Sequence, residues 1–405
     1  NSCRLIFPEK HMLDLARIQA ALVDEGVDGW LLYDFRGLNV LARRILGMAD
    51  THMLSRRWFY FIPAKGEPKK LVHRIEPAAL DAVPGAKQIY LRWQELEAGV
   101  ESLVKGAKRV AMEYVPRNAN PYISRVDAGT VEFVRSCGID IVPSGDLIQR
   151  FEACWDDEQW AMHLEAAKHT RSAFDAAFGF IADNIRKGTA IRETTVQKVI
   201  LDHFEKNGVA ADHAPIVAVG PHSGDPHYEP VVGKDAPIVE ADFVLIDLWA
   251  KCKKPRAVYS DLTRVAFVGK EVPAKYQDVF KIVAAARDAA IAKVKSAFAA
   301  KQVIRGWEVD NACRAVIEQA GYGQYFVHRT GHSIGQEVHG NGANIDGLET
   351  RDDRRILPRT CFSIEPGIYL PEFGIRSEVD VFVDATGAVH VTGGDPQTSV
   401  PALLV

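Results

Sequence analysis

Two runs of strand-forming residues near the middle of the chain are each interrupted by an acid. Asp247 lies in the apolar run 243–249, and Asp261 lies in the run 259–268, which is rich in β-branched and aromatic residues. A carboxylate in such a run is costly to bury unless it is paired or coordinates a metal ion. The two acids are therefore candidate metal ligands on strands.

Three further candidates lie in the stretch 327–384. His332 stands beside Gly331, and Glu365 and Glu378 stand in or next to strand-like runs. Four carboxylates in one place raise each other's pKa, because like charges repel at close range. Two divalent cations roughly 3.5–4 Å apart, sharing bridging carboxylates, would remove that repulsion. Oxygen donors with one imidazole suit Mn²⁺ best, and Co²⁺, Fe²⁺ and Zn²⁺ are also compatible with such a site.

These candidates fall in five short motifs. The motifs are Ile246–Leu248, Ser260–Arg264, Gly331–Gly335, Glu365–Tyr369 and Arg376–Glu378. In this order they resemble the metallopeptidases of the pita-bread fold, which include Xaa-Pro dipeptidases (prolidases), aminopeptidase P and methionine aminopeptidase. The resemblance extends from about Trp155 to the C-terminus, and the complete ligand set makes it specific.

The resemblance implies a role for each ligand. Asp247 would chelate one metal ion, His332 and Glu365 would hold the other, and Asp261 and Glu378 would bridge both. A hydroxide formed between the two cations would attack the peptide carbonyl. Glu365 would take the proton of that water and later give it to the leaving amine.

Three more residues are candidates for contacts with the substrate. In related peptidases, histidines at the positions of His227 and His339 contact the substrate carbonyl, although either residue could instead be a solvated loop histidine. Arg351 matches an arginine that binds the dipeptide carboxylate in prolidases, and a planar guanidinium suits that task. The alternative is that Arg351 is only one solvated charge in the charged run 349–355.

The segment that joins Asp247 to Asp261 departs from the family pattern. It is longer than is usual in the family, and Trp249 stands where a glycine is common. A longer hairpin loop leaves the facing strand positions unchanged, so the two acids are still expected to pair. We expect the bulky ring of Trp249 to narrow the substrate pocket.

Two domains are predicted for the 405 residues. Residues 1–145 are expected to form an α/β domain like the creatinase-type N-terminal domain, and residues 146–405 an α+β pita-bread domain. The predicted elements are helices at 10–25, 93–105, 124–134 and one long helix over 146–187, and strands at 29–33, 57–63, 70–72, 87–90 and 109–112.

An internal repeat supports a pseudo-two-fold arrangement in the second domain. Asp175 and Ile191 recur as Asp288 and Ile304, at one offset of 113 residues. The ligands repeat in parallel order, because each half supplies one histidine and two acid-bearing strands. The metal pair is then expected to lie between the two halves.

Composition bounds the remaining properties. The hydrophobic content is 47%, the charged content is 25% and the net charge is −4, which are typical of a soluble protein and argue against nucleic acid as the main partner. No apolar segment is long enough for a membrane span. The six cysteines are widely spaced and are expected to be free thiols, so a cytoplasmic location is predicted. A homodimer is expected from the family resemblance and from the polar and aromatic loop Tyr33–Asn39.

The sequence therefore predicts a dinuclear-metal exopeptidase that cleaves Xaa-Pro dipeptides. Aminopeptidase P, which takes longer peptides, is the alternative within the class, and organophosphate hydrolysis is a conceivable side activity. A non-catalytic binding protein of the same fold is the alternative from another class. Retention of all five ligands argues against it.

Overall fold

The computed structural model describes residues 13–48 and 54–405. The chain divides into two compact units, and the division falls between Glu152 and Ala153. This is slightly beyond the expected boundary at 145/146. The helix that follows that boundary buries Leu147 and Ile148 in the core of the first unit, so the first unit continues to Glu152.

The first unit is an α/β domain around one mixed sheet. Its helices are α1 (Leu15–Asp24), α2 (Val40–Ile45), α3 (Trp93–Val104), α4 (Ala128–Ser136) and α5 (Gly145–Glu152), with a 3-10 turn at Pro116–Asn118. Its strands are β1 (Gly29–Asp34), β2 (Trp58–Pro63), β3 (Lys69–His73), β4 (Ala86–Tyr90), β5 (Arg109–Met112) and β6 (Asp140–Pro143). Within the described ranges they form a sheet of order β4-β3-β2-β1-β5-β6. Alternate residues of β1 enter two different hydrophobic cores, one on each face.

The strands predicted for this unit are confirmed within one residue at each end. Helix α4 begins at Ala128 rather than near 124, because Asp127 caps it by accepting a hydrogen bond from the Thr130 amide at 2.9 Å. Helix α1 begins at Leu15, where Asp14 is the N-cap. Lys10 and Met12 of the predicted first helix lie outside the described residues.

The second unit contains longer helices and several small sheets. Its helices are α6 (Asp157–Arg186), α7 (Glu193–Lys206), α8 (Ala274–Ala299) and α9 (Gly306–Gln319), with 3-10 turns at Gly220–Gly224 and Gly323–Tyr325. Its strands are β7 (Ile191–Arg192), β8 (Val209–Ala210), β9 (Ile216–Val219), β10 (Pro237–Ile238), β11 (Phe243–Cys252), β12 (Ser260–Phe267), β13 (Ser333–Ile334), β14 (Cys361–Ile364), β15 (Gly367–Tyr369), β16 (Gly374–Arg376), β17 (Val379–Val383) and β18 (Val389–Thr392).

The same element order occurs twice in this unit. The pair α6 and α7 precedes the antiparallel strands β11 and β12, and the pair α8 and α9 precedes the antiparallel strands β14 and β17. The pair α6 and α7 packs on β11 and β12 in one apolar core. The pair α8 and α9 packs on β14 and β17 in another, which also contains residues from the opposite face of β11 and β12. This arrangement agrees with the predicted internal repeat.

The single long helix expected over 146–187 is wrong, because the chain forms α5 and α6 with a break at 153–156. Asp156 is the N-cap of the second helix. Its carboxylate accepts from the Gln159 amide at 2.9 Å, and the Gln159 side chain accepts from the Asp156 amide at 3.2 Å. This reciprocal capping box fixes the start of α6.

The five described cysteines are free thiols, as expected, and Cys3 lies outside the described residues. Among the helices that the structure describes, none combines the length and apolar character needed to cross a bilayer.

Candidate metal centre

Strands β11 and β12 carry Asp247 and Asp261 on one face. In β11, Val244 and Ile246 point into the core formed with α6 and α7, so Asp247 points to the opposite side. The register places Trp249 directly across from Asp261, and Trp249 shares its face with Asp247. The pleat of this strand pair therefore brings the two carboxylates together.

Strands β14 and β17 bring two glutamates to their shared end. Ile364, the last residue of β14, pairs with Val379, the first residue of β17. Glu365 directly follows the first of these residues, and Glu378 directly precedes the second. The antiparallel pairing thus places both carboxylates at one end of the second strand pair.

His332 reaches the same place through a close backbone approach. It directly precedes β13, and its amide donates to the Ser363 hydroxyl at 2.9 Å. A Cβ on the neighbouring Gly331 would lie 1.9 Å from the Ser363 carbonyl oxygen. Only glycine at that position lets the backbone beside His332 pack this closely on β14.

The ligand atoms of these residues converge. His332 Nε2 lies 3.4 Å from Asp261 Oδ2 and 3.6 Å from Glu365 Oε1. One candidate ligand atom each from Asp261, His332 and Glu378 lie within 4.8 Å of one another. His332 Nδ1 donates to the Ser333 carbonyl at 3.2 Å, which leaves the Nε2 lone pair directed at the acids.

Asp247 joins the cluster through a buried arginine. Arg376 donates from Nη2 to Asp247 Oδ2, and its Nε lies 3.9 Å from Glu365 Oε2. All five residues singled out in the sequence as candidate ligands are thus brought to one buried region.

The electrostatics of the cluster are those of crowded buried acids. Burial, followed by the charge of Asp247, raises the pKa of Asp261 well above its usual value. Burial and the neighbouring acids do the same to the pKa of Glu378. Burial raises the pKa of Glu365 to about 7, although His332 and Arg376 act in the opposite direction. Burial also lowers the pKa of His332, so its imidazole is favoured in the neutral form that a metal ligand requires.

The donor set fits divalent metal ions. Asp247 Oδ1 and Asp261 Oδ1 are buried and have no hydrogen-bond partner among the described residues. A buried carboxylate oxygen without a partner is costly. A cation would give each orphan oxygen a partner and would offset the repulsion among the four acids.

A hydrogen-bonded network outside the ligand set holds these acids in place. Thr263 Oγ1 donates to Glu378 Oε2 at 2.7 Å, and Arg376 Nε donates to the same hydroxyl at 3.0 Å. Arg376 Nη1 donates to the Tyr369 hydroxyl at 3.0 Å, and that hydroxyl donates to His328 Nε2 at 2.7 Å. In the sequence, Arg376 is part of a motif but has no role assigned to it. An arginine inside a buried strand was the available signal.

Asp380 is a fifth buried acid, which sequence reasoning also missed. It accepts from the Ser260 hydroxyl at 2.9 Å and from the Asp261 amide at 3.1 Å. Burial and the charge of Asp261 raise its pKa well above the usual value. The alternation from Glu378 to Asp380 along β17 places both on one face, which was the signal for it.

The two histidines that are predicted to contact the substrate lie near this cluster. The His339 ring stands edge-on to the His332 ring, with 4.3 Å between the centroids. The charge of His332, then burial, lowers the pKa of His339 to about 3, and the charge of His227 contributes to the same shift. His227 is exposed on the loop after the 3-10 turn Gly220–Gly224.

Arg351 is not brought into contact with the cluster. Its guanidinium stacks over the Trp307 ring at 4.6 Å, and its Nε lies 3.5 Å from Asp353 Oδ1. The side chain is 65% exposed. Its proposed contact with a substrate carboxylate therefore stays a prediction.

The fold and the cluster together define a metal-dependent hydrolase of the pita-bread type. The family model of metallopeptidase family M24 matches residues 161–385, and the chain belongs to that family. The solved structure of dipeptidase PepE from Mycobacterium ulcerans has a similar fold. The alignment covers 96% of this chain and 96% of that chain, with a TM-score of 0.66 at 23% sequence identity. The predicted family and fold class are thereby confirmed.

Known relatives are similar in sequence to this chain over part or most of its length. A Mycobacterium bovis protein named "Probable dipeptidase PepE" is 28% identical over 386 residues, which cover 93% of each chain. The Xaa-Pro dipeptidase of Lactobacillus helveticus is 33% identical over 205 residues. That match spans 50% of this chain and 51% of the relative.

Proposed function

We propose that this chain is a metal-dependent dipeptidase that hydrolyses Xaa-Pro dipeptides with two divalent metal ions, of which Mn²⁺ is the proposed native metal. The observation that carries the proposal is the buried cluster of four acids and His332, with an orphan oxygen on Asp247 and another on Asp261. Cations would stabilise a buried set of like charges whose acceptor oxygens lack hydrogen-bond partners. The dipeptidases among the relatives support the choice of substrate.

The family pattern assigns the ligands. Asp247 would hold one ion, His332 and Glu365 the other, and Asp261 and Glu378 both. Divalent cations held there would supply Lewis-acid polarisation of a peptide carbonyl and a lowered pKa for water. Arg376 keeps Asp247 oriented, and Thr263 does the same for Glu378.

The chain's own groups would handle the protons and the oxyanion. Glu365, whose pKa is raised to about 7, can accept and return a proton near neutral pH. His339 and His227 would donate hydrogen bonds to the carbonyl oxygen of the scissile bond. His339 is favoured in its neutral form by its lowered pKa, and a neutral imidazole carries one N–H for this task.

Arg351 would bind the free carboxylate of the dipeptide. Among the residues that the structure describes, its exposed guanidinium has one ion-pair partner, Asp353, which is itself 60% exposed. An exposed pair of this kind is weak and exchanges readily for a substrate carboxylate. A dipeptide has that carboxylate beside its proline, whereas a longer peptide does not.

The test compares Ala-Pro with Ala-Pro-amide and Ala-Pro-Ala on metal-loaded protein. We expect efficient cleavage of the dipeptide and poor cleavage of both extended forms. Arg351→Ala should raise KM for Ala-Pro by roughly 10- to 100-fold, as expected for one lost charge-assisted hydrogen bond. Lys198→Ala, which removes an exposed cation from α7, is the matched control and should leave KM unchanged. Equal cleavage of all three peptides by the unmodified protein would move the enzyme to the aminopeptidase P class.

A further inference from the structure

The strand register holds a further acid beside the candidate metal centre. Ile216 of β9 pairs with Asp247 of β11, and Ala210 of β8 pairs with Lys251 of β11. The loop 211–215 joins these two strands, so it passes alongside the part of β11 that contains Trp249. Asp212 lies in this loop.

Two aromatic residues fix the Asp212 carboxylate. Trp249 Nε1 donates to Asp212 Oδ1 at 2.9 Å, and the Tyr259 hydroxyl also hydrogen-bonds to Asp212. The amide of His213 donates to the same Oδ1 at 3.0 Å. Both aromatic residues lie two positions from a candidate metal ligand, Trp249 from Asp247 and Tyr259 from Asp261. The carboxylate is therefore positioned relative to the cluster by rigid side chains.

This carboxylate remains open to a ligand. The Asp212 side chain is 46% exposed, and its ion-pair neighbour His213 is 78% exposed. Among the residues that the structure describes, no lysine or arginine forms an ion pair with Asp212. Partial burial raises the pKa of Asp212, but hydrogen bonds, chiefly the one from Trp249, keep this pKa below its usual value. The group is therefore anionic at neutral pH. An anchored, ionised and uncompensated acid is suited to bind a cation.

Trp249 contacts this acid and lies opposite one of the candidate metal ligands. The register places Trp249 opposite Asp261, and its indole nitrogen donates to Asp212. The α-ammonium of a dipeptide is two bonds from the scissile carbonyl carbon and must stay beside the metal cluster. The long stem of a lysine or arginine side chain can instead lie along the indole face, where a cation and an apolar stem are both favourable.

We propose that Asp212 and Trp249 form an acidic subsite for the side chain of the N-terminal residue, and that the enzyme prefers dipeptides in which this residue is arginine or lysine. The inference rests on the proposed dipeptidase function and adds its substrate class. Trp249 supplies the wall of the subsite, and the carboxylate of Asp212 supplies the charge that recognises the cation.

The experiment compares Arg-Pro with citrulline-Pro, its uncharged isostere. We expect kcat/KM for Arg-Pro to exceed that for citrulline-Pro by about 10-fold or more, mainly through KM. Asp212→Asn should reduce this ratio to near 1. Asp212→Glu keeps the charge and should retain a preference for Arg-Pro. Asp202→Asn removes an equal charge from the exposed face of α7 and should leave the ratio unchanged.

The arms of this experiment separate the causes of failure. An unmodified enzyme that cleaves both peptides equally, or an Asp212→Asn variant that keeps the preference, overturns the subsite. A ratio that falls in Asp212→Asn but also in Asp202→Asn assigns the effect to net charge and also overturns it. If no Xaa-Pro peptide is cleaved, the proposed function fails, and calorimetric binding of the same two peptides to the metal-loaded protein then decides the subsite on its own.

Discussion

Asp261 is the residue whose loss should affect the cluster most directly. It approaches His332 Nε2 at 3.4 Å, and its Oδ1 has no protein partner among the described residues. Asp261→Asn keeps the shape of the side chain but removes the anionic donor. We expect peptidase activity to be abolished and bound metal to fall clearly below that of the unmodified protein. Elemental analysis and a dipeptide assay on the same preparations measure both.

A second readout separates loss of a ligand from damage to the fold. Because burial and the charge of Asp247 raise the pKa of Asp261 in the folded metal-free protein, this acid destabilises the fold at neutral pH, where the unfolded chain ionises it freely. Metal-free Asp261→Asn should therefore melt at the same temperature as the metal-free unmodified protein, or higher. Asp278→Asn, on the exposed face of α8, is the control. Full metal content and normal turnover in Asp261→Asn would remove this residue from the centre.

Arg376 should matter for metal affinity although its cation cannot bind a metal. It contacts Asp247, the Thr263 hydroxyl and the Tyr369 hydroxyl from a buried position. We expect Arg376→Met to weaken metal binding by about 10- to 100-fold, the usual effect of losing a group that orients a ligand. Tyr369→Phe should have a smaller effect, since Asp247 keeps its guanidinium partner.

Isothermal titration of both variants with Mn²⁺ gives these affinities. Arg171→Met, an exposed arginine paired with Asp175 on α6, serves as the matched control. Unchanged affinity in Arg376→Met, with the variant folded, would show that Asp247 needs no partner to hold its orientation.

The ligand candidates could be predicted from the sequence, whereas the pairings of their supporting residues could not. An acid in an apolar run is conspicuous because burial of a lone carboxylate is so unfavourable. Arg376 bonds to Asp247 across 129 residues, and Trp249 bonds to Asp212 across 37 residues. No local pattern marks either of these pairs, because chain folding alone brings them together.

At the scale of elements, helix α6 is tied to its neighbouring strands through a buried histidine. His163 Nδ1 donates to the Tyr259 carbonyl at 2.8 Å, and His163 Nε2 accepts from the Thr392 hydroxyl at 2.7 Å. This pattern uses the neutral imidazole. Burial lowers the pKa of His163 to about 4, while in the unfolded chain it is near 6.5.

The lowered pKa of His163 makes the folded protein less stable as the pH falls. Between about pH 6.5 and about pH 4 the unfolded chain binds a proton that the folded protein does not, so stability is lost as the pH falls. The loss is about 1.4 kcal/mol per pH unit within that window. We expect the stability difference between the unmodified protein and His163→Gln to shrink by this amount per unit below pH 6.5. Urea unfolding at about pH 7.5, 6 and 5 measures it.

His213→Gln is the matched control for this prediction, because it makes the same substitution at a ring that is 78% exposed. A stability difference for His163→Gln that is constant from pH 7.5 to pH 5 would mean that folding does not lower the pKa of His163.

Element types were predicted well, and element boundaries less well, for a physical reason. Apolar periodicity reports which face is buried, and it does not change where a helix stops. The break between α5 and α6 depends on Asp156 and Gln159, whose capping pattern was present in the sequence but interrupts an otherwise continuous helical pattern. The late start of α4 depends in the same way on one side chain, Asp127.

At the scale of the whole molecule, metal removal should change both stability and proton balance. The metal-free cluster contains Asp261 and Glu378 with raised pKa values, so these groups hold protons that metal binding must displace. We expect a higher melting temperature with Mn²⁺ than with a chelator. Saturation at 100 times Kd corresponds to about 2.7 kcal/mol.

Titration in two buffers with different ionisation enthalpies measures the released protons. We expect proton release for the unmodified protein and a smaller release for Asp261→Asn. Identical heats in both buffers would contradict the protonated state assigned to the metal-free cluster.

The twofold element order of the second unit has a consequence for the synthesis of the protein. Asp247 and Asp261 belong to the first half of the repeat, and Glu378 follows Asp261 by 117 residues. The glutamate amide donates to the Thr263 carbonyl, and its carboxylate is held by the Thr263 hydroxyl, so neither half is complete without the other. When β12 has just emerged from the ribosome, the nascent chain therefore contains only part of the candidate ligand set. Metal uptake has to follow the emergence of Glu378, and the metal acquired depends on the ions that the folded chain meets after translation of that segment.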